Sequence, residues 1–144
     1  MILFICTGNT CRSPLASAFM KKRLEEDGIS RRVESAGIYG YSGQPASHGS
    51  LNAAKHYGLT LDNHEAQNVI DVVGAKDALI LTMTNAHKEY IHSLGIGREV
   101  YTLYEYVKKE RKDITDPFGL NEEQYLKCAE EIKNLIYDIQ MENL

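Results

Sequence analysis

No stretch of this 144-residue sequence stays apolar long enough to cross a bilayer, and Met1–Ile5 is too short, and lacks the basic start, for a secretory leader. A cytoplasmic protein is the expectation. Basic residues are not in excess: 16 Lys and Arg against 20 Asp and Glu leave a net charge of −4, which argues against a general affinity for nucleic acid or anionic membrane. Cysteine is scarce too. Three thiols, two of them in one short loop, suit a reducing compartment and a reactive sulfur better than a disulfide framework. Internal repeats, low-complexity tracts and linkers are all missing, so the length fits one domain over residues 1–144 around one core. What remains is ordinary for a globular chain, 43% apolar and 25% charged.

What is there is concentrated in the first thirteen residues. Met1-Ile2-Leu3-Phe4-Ile5 reads as a buried strand, and it stops at Cys6-Thr7-Gly8-Asn9-Thr10-Cys11-Arg12-Ser13-Pro14. Ser13 and Pro14 read as the N-cap and first residue of a helix. A loop between a strand end and a helix N-terminus aims backbone N–H groups and the positive end of the helix dipole at one spot, which binds anions. Thr7, Gly8, Asn9, Thr10, Cys11, Arg12 and Ser13 are therefore the expected phosphate-binding residues. Arg12 adds a planar fork that grips an oxyanion through two hydrogen bonds, and Gly8 and Asn9 are the residue types that most readily take positive φ. These groups favour the thiolate of Cys6 at the base of the loop, a nucleophile in position for in-line attack.

Downstream, Leu15, Ala16, Phe19, Met20 and Leu24 recur at helical spacing as far as Gly28, and Val33–Gly37 reads as a second, parallel strand. The Gly-, Ser- and Pro-rich loop 37–47 carries Tyr39 and Tyr41 and leaves the strand on the side where open α/β sheets bind ligands. His48–Tyr57 is an expected helix and Val69–Val73 a helical turn. Ala78–Met83 suits a central strand, followed by a helix over Asn85–Leu94, a strand over Glu99–Thr102 and a long helix over Asn121–Ile139. The fold class expected is α/β, a doubly wound four-stranded parallel sheet with helices on both faces. Lys108–Asp113 reads as a solvated charged loop leading to an Asp116-Pro117-Phe118-Gly119 turn. His48, His56, His87 and His92 show no metal-ligand spacing with the cysteines, so neither metal nor cofactor is expected.

The segment Cys6–Pro14, with the Cys-x5-Arg-Ser spacing, together with Asp116-Pro117-Phe118, resembles the low-molecular-weight protein tyrosine phosphatases over nearly the whole chain, and within them the bacterial protein arginine phosphatases most. The resemblance implies a phosphatase working on phosphorylated proteins through a cysteinyl-phosphate, with Cys6, Arg12 and Asp116 catalytic. Asp116 would protonate the leaving group and then activate water, and Phe118 would wall the slot above the phosphate. Asn9, Ser13, Ser35 and His64 match the network that supports the loop. Thr10 stands where tyrosine-selective members carry a larger apolar residue, which with Phe118 and Tyr39 makes it an expected specificity residue for phosphoarginine.

Several readings stay open beside this one. Cys11 is either a small packing residue or the partner of Cys6 in a protective disulfide, and Cys128 falls on the apolar face of the last helix. A phosphotyrosine phosphatase is the nearest alternative. An arsenate reductase would need further cysteines between Cys11 and Cys128, and a cysteine phosphocarrier would be ill served by a general acid. A monomer is expected, with no nucleic-acid or membrane partner.

Overall fold

The computed structural model describes all of residues 1–144. Four parallel strands, β1 (Ile2–Cys6), β2 (Val33–Gly37), β3 (Leu79–Thr82) and β4 (Glu99–Thr102), lie side by side in the order β2-β1-β3-β4. β1 is central, in register with β2 from Ile2 opposite Val33 to Cys6 opposite Gly37, and with β3 from Ile2 opposite Leu79. Every residue of β1 is buried, because helices cover both faces of the sheet.

The two-residue period of a strand sorts these side chains. Ile2, Phe4 and Cys6 point into the larger core, filled by α1 (Arg12–Glu26), α2 (His48–His56), α4 (Leu103–Lys108) and α5 (Glu122–Tyr137). Leu3 and Ile5 point into the smaller one, under α3 (Asn85–Leu94) and the single 3-10 turns Val69–Asp71 and Ala75–Asp77. Leu15, Ala16, Phe19, Met20 and Leu24 of α1 are all buried, as are Tyr125, Cys128, Ile132, Leu135 and Ile136 of α5 and Ile139 beyond its end, as their spacing predicts. Each large apolar side chain fully withdrawn from water contributes about 1.5–3 kcal/mol. No helix is long and apolar enough to cross a membrane.

Two expectations are corrected. Helix α1 begins two residues early: Cys11 is its N-cap, with no side-chain cap bond, and Ser13 and Pro14 sit inside the first turn. The Ser13 hydroxyl cannot cap because it is spent on Asn9 and Cys6. Gly8 does not adopt positive φ, which falls to Asn9 alone in this loop, at 58°. Between β4 and the charged stretch lies a helix not expected from the sequence, α4, started by a capping box in which the Thr102 hydroxyl accepts from Glu105 N and the Glu105 carboxylate accepts from Thr102 N.

In this strand order the chain leaves β1 toward β2 on one side, and β3 lies on the other. The C-terminal end of β1 is therefore the switch point of the sheet, where a crevice opens. Cys6 is its last residue.

Candidate active site

Residues 7–11 curl between β1 and α1 with their carbonyls turned outward. Thr7 O accepts from Tyr39 N at 2.9 Å, Thr10 O from Ser47 N at 2.8 Å and Cys11 O from the Ser50 hydroxyl at 3.1 Å, while Asn9 O lies 2.7 Å from His64 Nε2. With the carbonyls held out, the N–H groups face in. No backbone N–H from Thr7 to Ser13 donates to another protein group, which leaves a ring of donors at a helix N-terminus.

The shape is enforced by Asn9, fully buried and left-handed. Its amide nitrogen donates to Ser13 Oγ at 2.8 Å and Ser35 Oγ at 2.9 Å, and its amide oxygen accepts from Gln67 N at 3.0 Å. Because Ser13 Oγ accepts from Asn9, its own proton is free for Cys6 Sγ at 2.9 Å or the Ala36 carbonyl at 3.5 Å. A donor at that distance stabilises a thiolate. The structure thus brings Asn9, Ser13, Ser35 and His64 into one network. Burial, more than the nearby Lys21, lowers the pKa of His64, and its bond to Asn9 opposes this.

Arg12 is 3% exposed and tied on two sides. Nη1 donates to Ile114 O at 2.8 Å and Nη2 to Thr7 Oγ1 at 3.3 Å, with Asp116 Oδ2 3.5 Å from Nη2. Nε is buried without a partner, an unfilled donor that an oxyanion in the loop would satisfy. Asp116 is held by its Oδ1, which accepts from Phe118 N at 3.1 Å, while its side chain stays 45% exposed.

Cys6, Thr7, Gly8, Thr10, Cys11, Arg12, Tyr39, Tyr41, Gln44, Asp116 and Phe118 line one cavity of about 320 Å³. A larger one, about 750 Å³, lies behind the loop beside Ser35 and His64. Size does not mark the site here; the thiol, the guanidinium and the carboxyl converge only in the smaller cavity. Three aromatic rings form its rim, Tyr39, Tyr41 and Phe118, each well over half exposed. Cys11 and Cys6 are both free thiols, and Cys11 Sγ lies 3.2 Å from Ser47 Oγ and 3.7 Å from Tyr125 Oη. Cys128 is a core residue whose burial pushes the thiol pKa up to about 12. No group of three His, Cys, Asp or Glu side chains is placed to hold a metal.

Three residues at the site escaped the sequence. Gln67 N holds Asn9 from a loop 58 residues away. Gly37 ends β2 where any Cβ would lie 2.5 Å from Thr7 O and 2.9 Å from Asn9 N. His87, one histidine among five, is 3% exposed with Nε2 2.9 Å from Thr7 Oγ1. Nothing next to these residues in the chain marks them, since their partners are all remote in sequence.

A thiol at the floor of an anion cradle, under a parallel sheet's switch point, defines a phosphatase of the cysteine-dependent class. The family model described as low molecular weight phosphotyrosine protein phosphatase matches residues 1–142, and the chain belongs to that family. It is 36% identical over 140 residues to a protein-arginine-phosphatase of Bacillus subtilis, covering 94% of this chain and 91% of that one. It is 38% identical over 143 residues to the low molecular weight protein-tyrosine-phosphatase PtpB of Staphylococcus epidermidis, covering 99% and 98%. A solved YwlE arginine phosphatase variant with a phosphorylated active-site serine superposes with a TM-score of 0.88 at 32% identity, over 95% of this chain and 91% of that one.

Proposed function

We propose that the protein removes phosphate from phosphoarginine in proteins through a cysteinyl-phosphate. In this reading the Cys6 thiolate attacks phosphorus and the P–N bond breaks. The phosphoryl oxygens lie in the ring of free N–H groups and against the Nε and Nη2 edge of Arg12. The Asp116 carboxyl gives its proton to the departing guanidine nitrogen. A water, losing its proton to the Asp116 carboxylate, then splits the P–S bond and frees inorganic phosphate. The relative with a phosphorylated serine in its active site supports a phosphoryl-enzyme of this kind.

The observation that carries phosphoarginine over phosphotyrosine is the hydroxyl of Thr10 in the cavity wall, whose only hydrogen-bond partner is Cys11 Sγ at 3.8 Å. Beside it stand two further acceptors, Asp116 and Gln44. A guanidinium presents several N–H donors to such a wall, whereas a phenyl ring presents none. The aromatic rim of Tyr39, Tyr41 and Phe118 favours the second reading, phosphotyrosine, by offering faces to a ring.

The test is kcat/KM on peptides bearing each phosphorylated residue, for the wild type and Thr10→Ile. Phosphoarginine is expected to be preferred by the wild type and to lose its lead, by tenfold or more, in the variant. A wild type that prefers phosphotyrosine refutes the assignment.

A further inference from the structure

His87 is a buried imidazole that the phosphoryl-transfer steps leave unused. It lies in the first turn of α3, where its backbone N–H donates to the capping hydroxyl of Thr84 at 3.1 Å. Its Nε2 is 2.9 Å from Thr7 Oγ1, and its Nδ1 is buried with no hydrogen-bond partner. The same Thr7 oxygen accepts from Arg12 Nη2 at 3.3 Å. Burial first and the Arg12 guanidinium second hold the pKa of His87 down at about 4, against the opposing charges of Asp113 and Asp116. The ring is therefore neutral at neutral pH.

A neutral imidazole carries one N–H, and its place decides what the Thr7 hydroxyl does. With the proton on Nδ1, a donor would be sealed in the interior with nothing to receive it, and orphaned buried donors are rarer than under-used acceptors. With the proton on Nε2, the ring donates to Thr7. Both lone pairs of the Thr7 oxygen are then filled, one by His87 and one by Arg12, so the hydroxyl hydrogen leaves in the remaining direction. Thr7 lines the cavity with Cys6, where a phosphoryl oxygen would accept.

We propose that His87 is a positioning residue which, by donating from Nε2, turns the Thr7 hydroxyl into the cradle as a side-chain donor to the bound phosphoryl group. The proposal rests on the loop being a phosphate cradle and is independent of which phosphorylated residue is cleaved. It gives the loop one donor beyond its backbone N–H groups and Arg12, set by a residue of α3.

Two measurements test it, and neither requires a phosphorylated peptide. Nitrogen-15 NMR of the imidazole in the wild-type protein is expected to show a protonated Nε2 and a bare Nδ1; a proton on Nδ1 overturns the proposal. Turnover of p-nitrophenyl phosphate and inhibition by orthovanadate are then measured for Thr7→Val, His87→Leu, the double variant and His87→Gln. Thr7→Val is expected to weaken orthovanadate and lower kcat/KM by about tenfold or more, as befits a hydrogen bond to a charged group. His87→Leu should lose as much, the double variant no more than either alone, and His87→Gln, whose amide N–H reaches toward Thr7, should recover part of the loss. Wild-type orthovanadate binding by Thr7→Val, or losses that multiply in the double variant, overturn the proposal. If His87→Leu does not fold, Thr7→Val and the tautomer decide. A wild type that binds no orthovanadate refutes the cradle itself, an outcome distinct from a failure of Thr7 alone.

Discussion

One amide, that of Asn9, ties three segments together: it donates to Ser13 and Ser35 and accepts from the backbone of Gln67, in a left-handed conformation that asparagine tolerates better than most residues. His87 is its counterpart on the other wall, and its burial has a measurable consequence. The free imidazole titrates near 6.5, while in the fold burial and Arg12 keep the pKa at about 4. Between those values the unfolded chain binds a proton that the folded one refuses, so stability falls as pH falls from 6.5 to 4 and is regained as pH rises. The full effect is roughly 3 kcal/mol, and His64, whose pKa is also lowered by burial, acts in the same direction. Urea midpoints from about pH 7 to 4.5 should show the decline, and His87→Gln should flatten it; an unchanged slope in that variant would mean His87 is not its source.

At the scale of elements, the strand and its cradle were legible because an unbroken apolar run from Met1 to Ile5 is satisfied only by burial on both faces, and the Cys-x5-Arg spacing marks the loop beyond it. The start of α1 was misplaced because Ser13 obeys the capping preference in the sequence but binds Asn9 and Cys6 instead. Helix α4 is a six-residue element that carried no expectation, although Thr102-x-x-Glu105 spells its capping box. Gly37 left no signal at all, since a glycine ending a strand looks like any turn residue. Its need is steric: the end of β2 packs directly on the backbone of Thr7 and Asn9. Gly37→Ala should force the loop away, costing about 1–3 kcal/mol of stability and most of the turnover of p-nitrophenyl phosphate. An alanine variant with wild-type kinetics would show that the loop yields freely.

For the molecule as a whole, the sheet, the two cores and the cradle depend on one another. Arg12 closes the circuit by donating to Ile114, 102 residues further along the chain. A ligand that fills the N–H ring and the free Nε of Arg12 binds only the folded state, so orthovanadate at about a hundred times its dissociation constant should add about 2.7 kcal/mol to unfolding and raise Tm by roughly 5–10 °C. Arg12→Ala should abolish the shift, and a Tm unmoved by saturating orthovanadate in the wild type would contradict the cradle.

The bond from Arg12 to Ile114 also says something about the chain as it is made. The cradle leaves the ribosome well before the residues that shape it, with Ser35, His64, His87 and Ile114 emerging in turn. At elongation rates of about 5–20 residues per second, Arg12 waits roughly 5–20 s for its last tether. Throughout that interval the loop lacks the partners that shape it, and the segment carrying Ile114 and Asp116, which meets Arg12, is the last part of the site to be made.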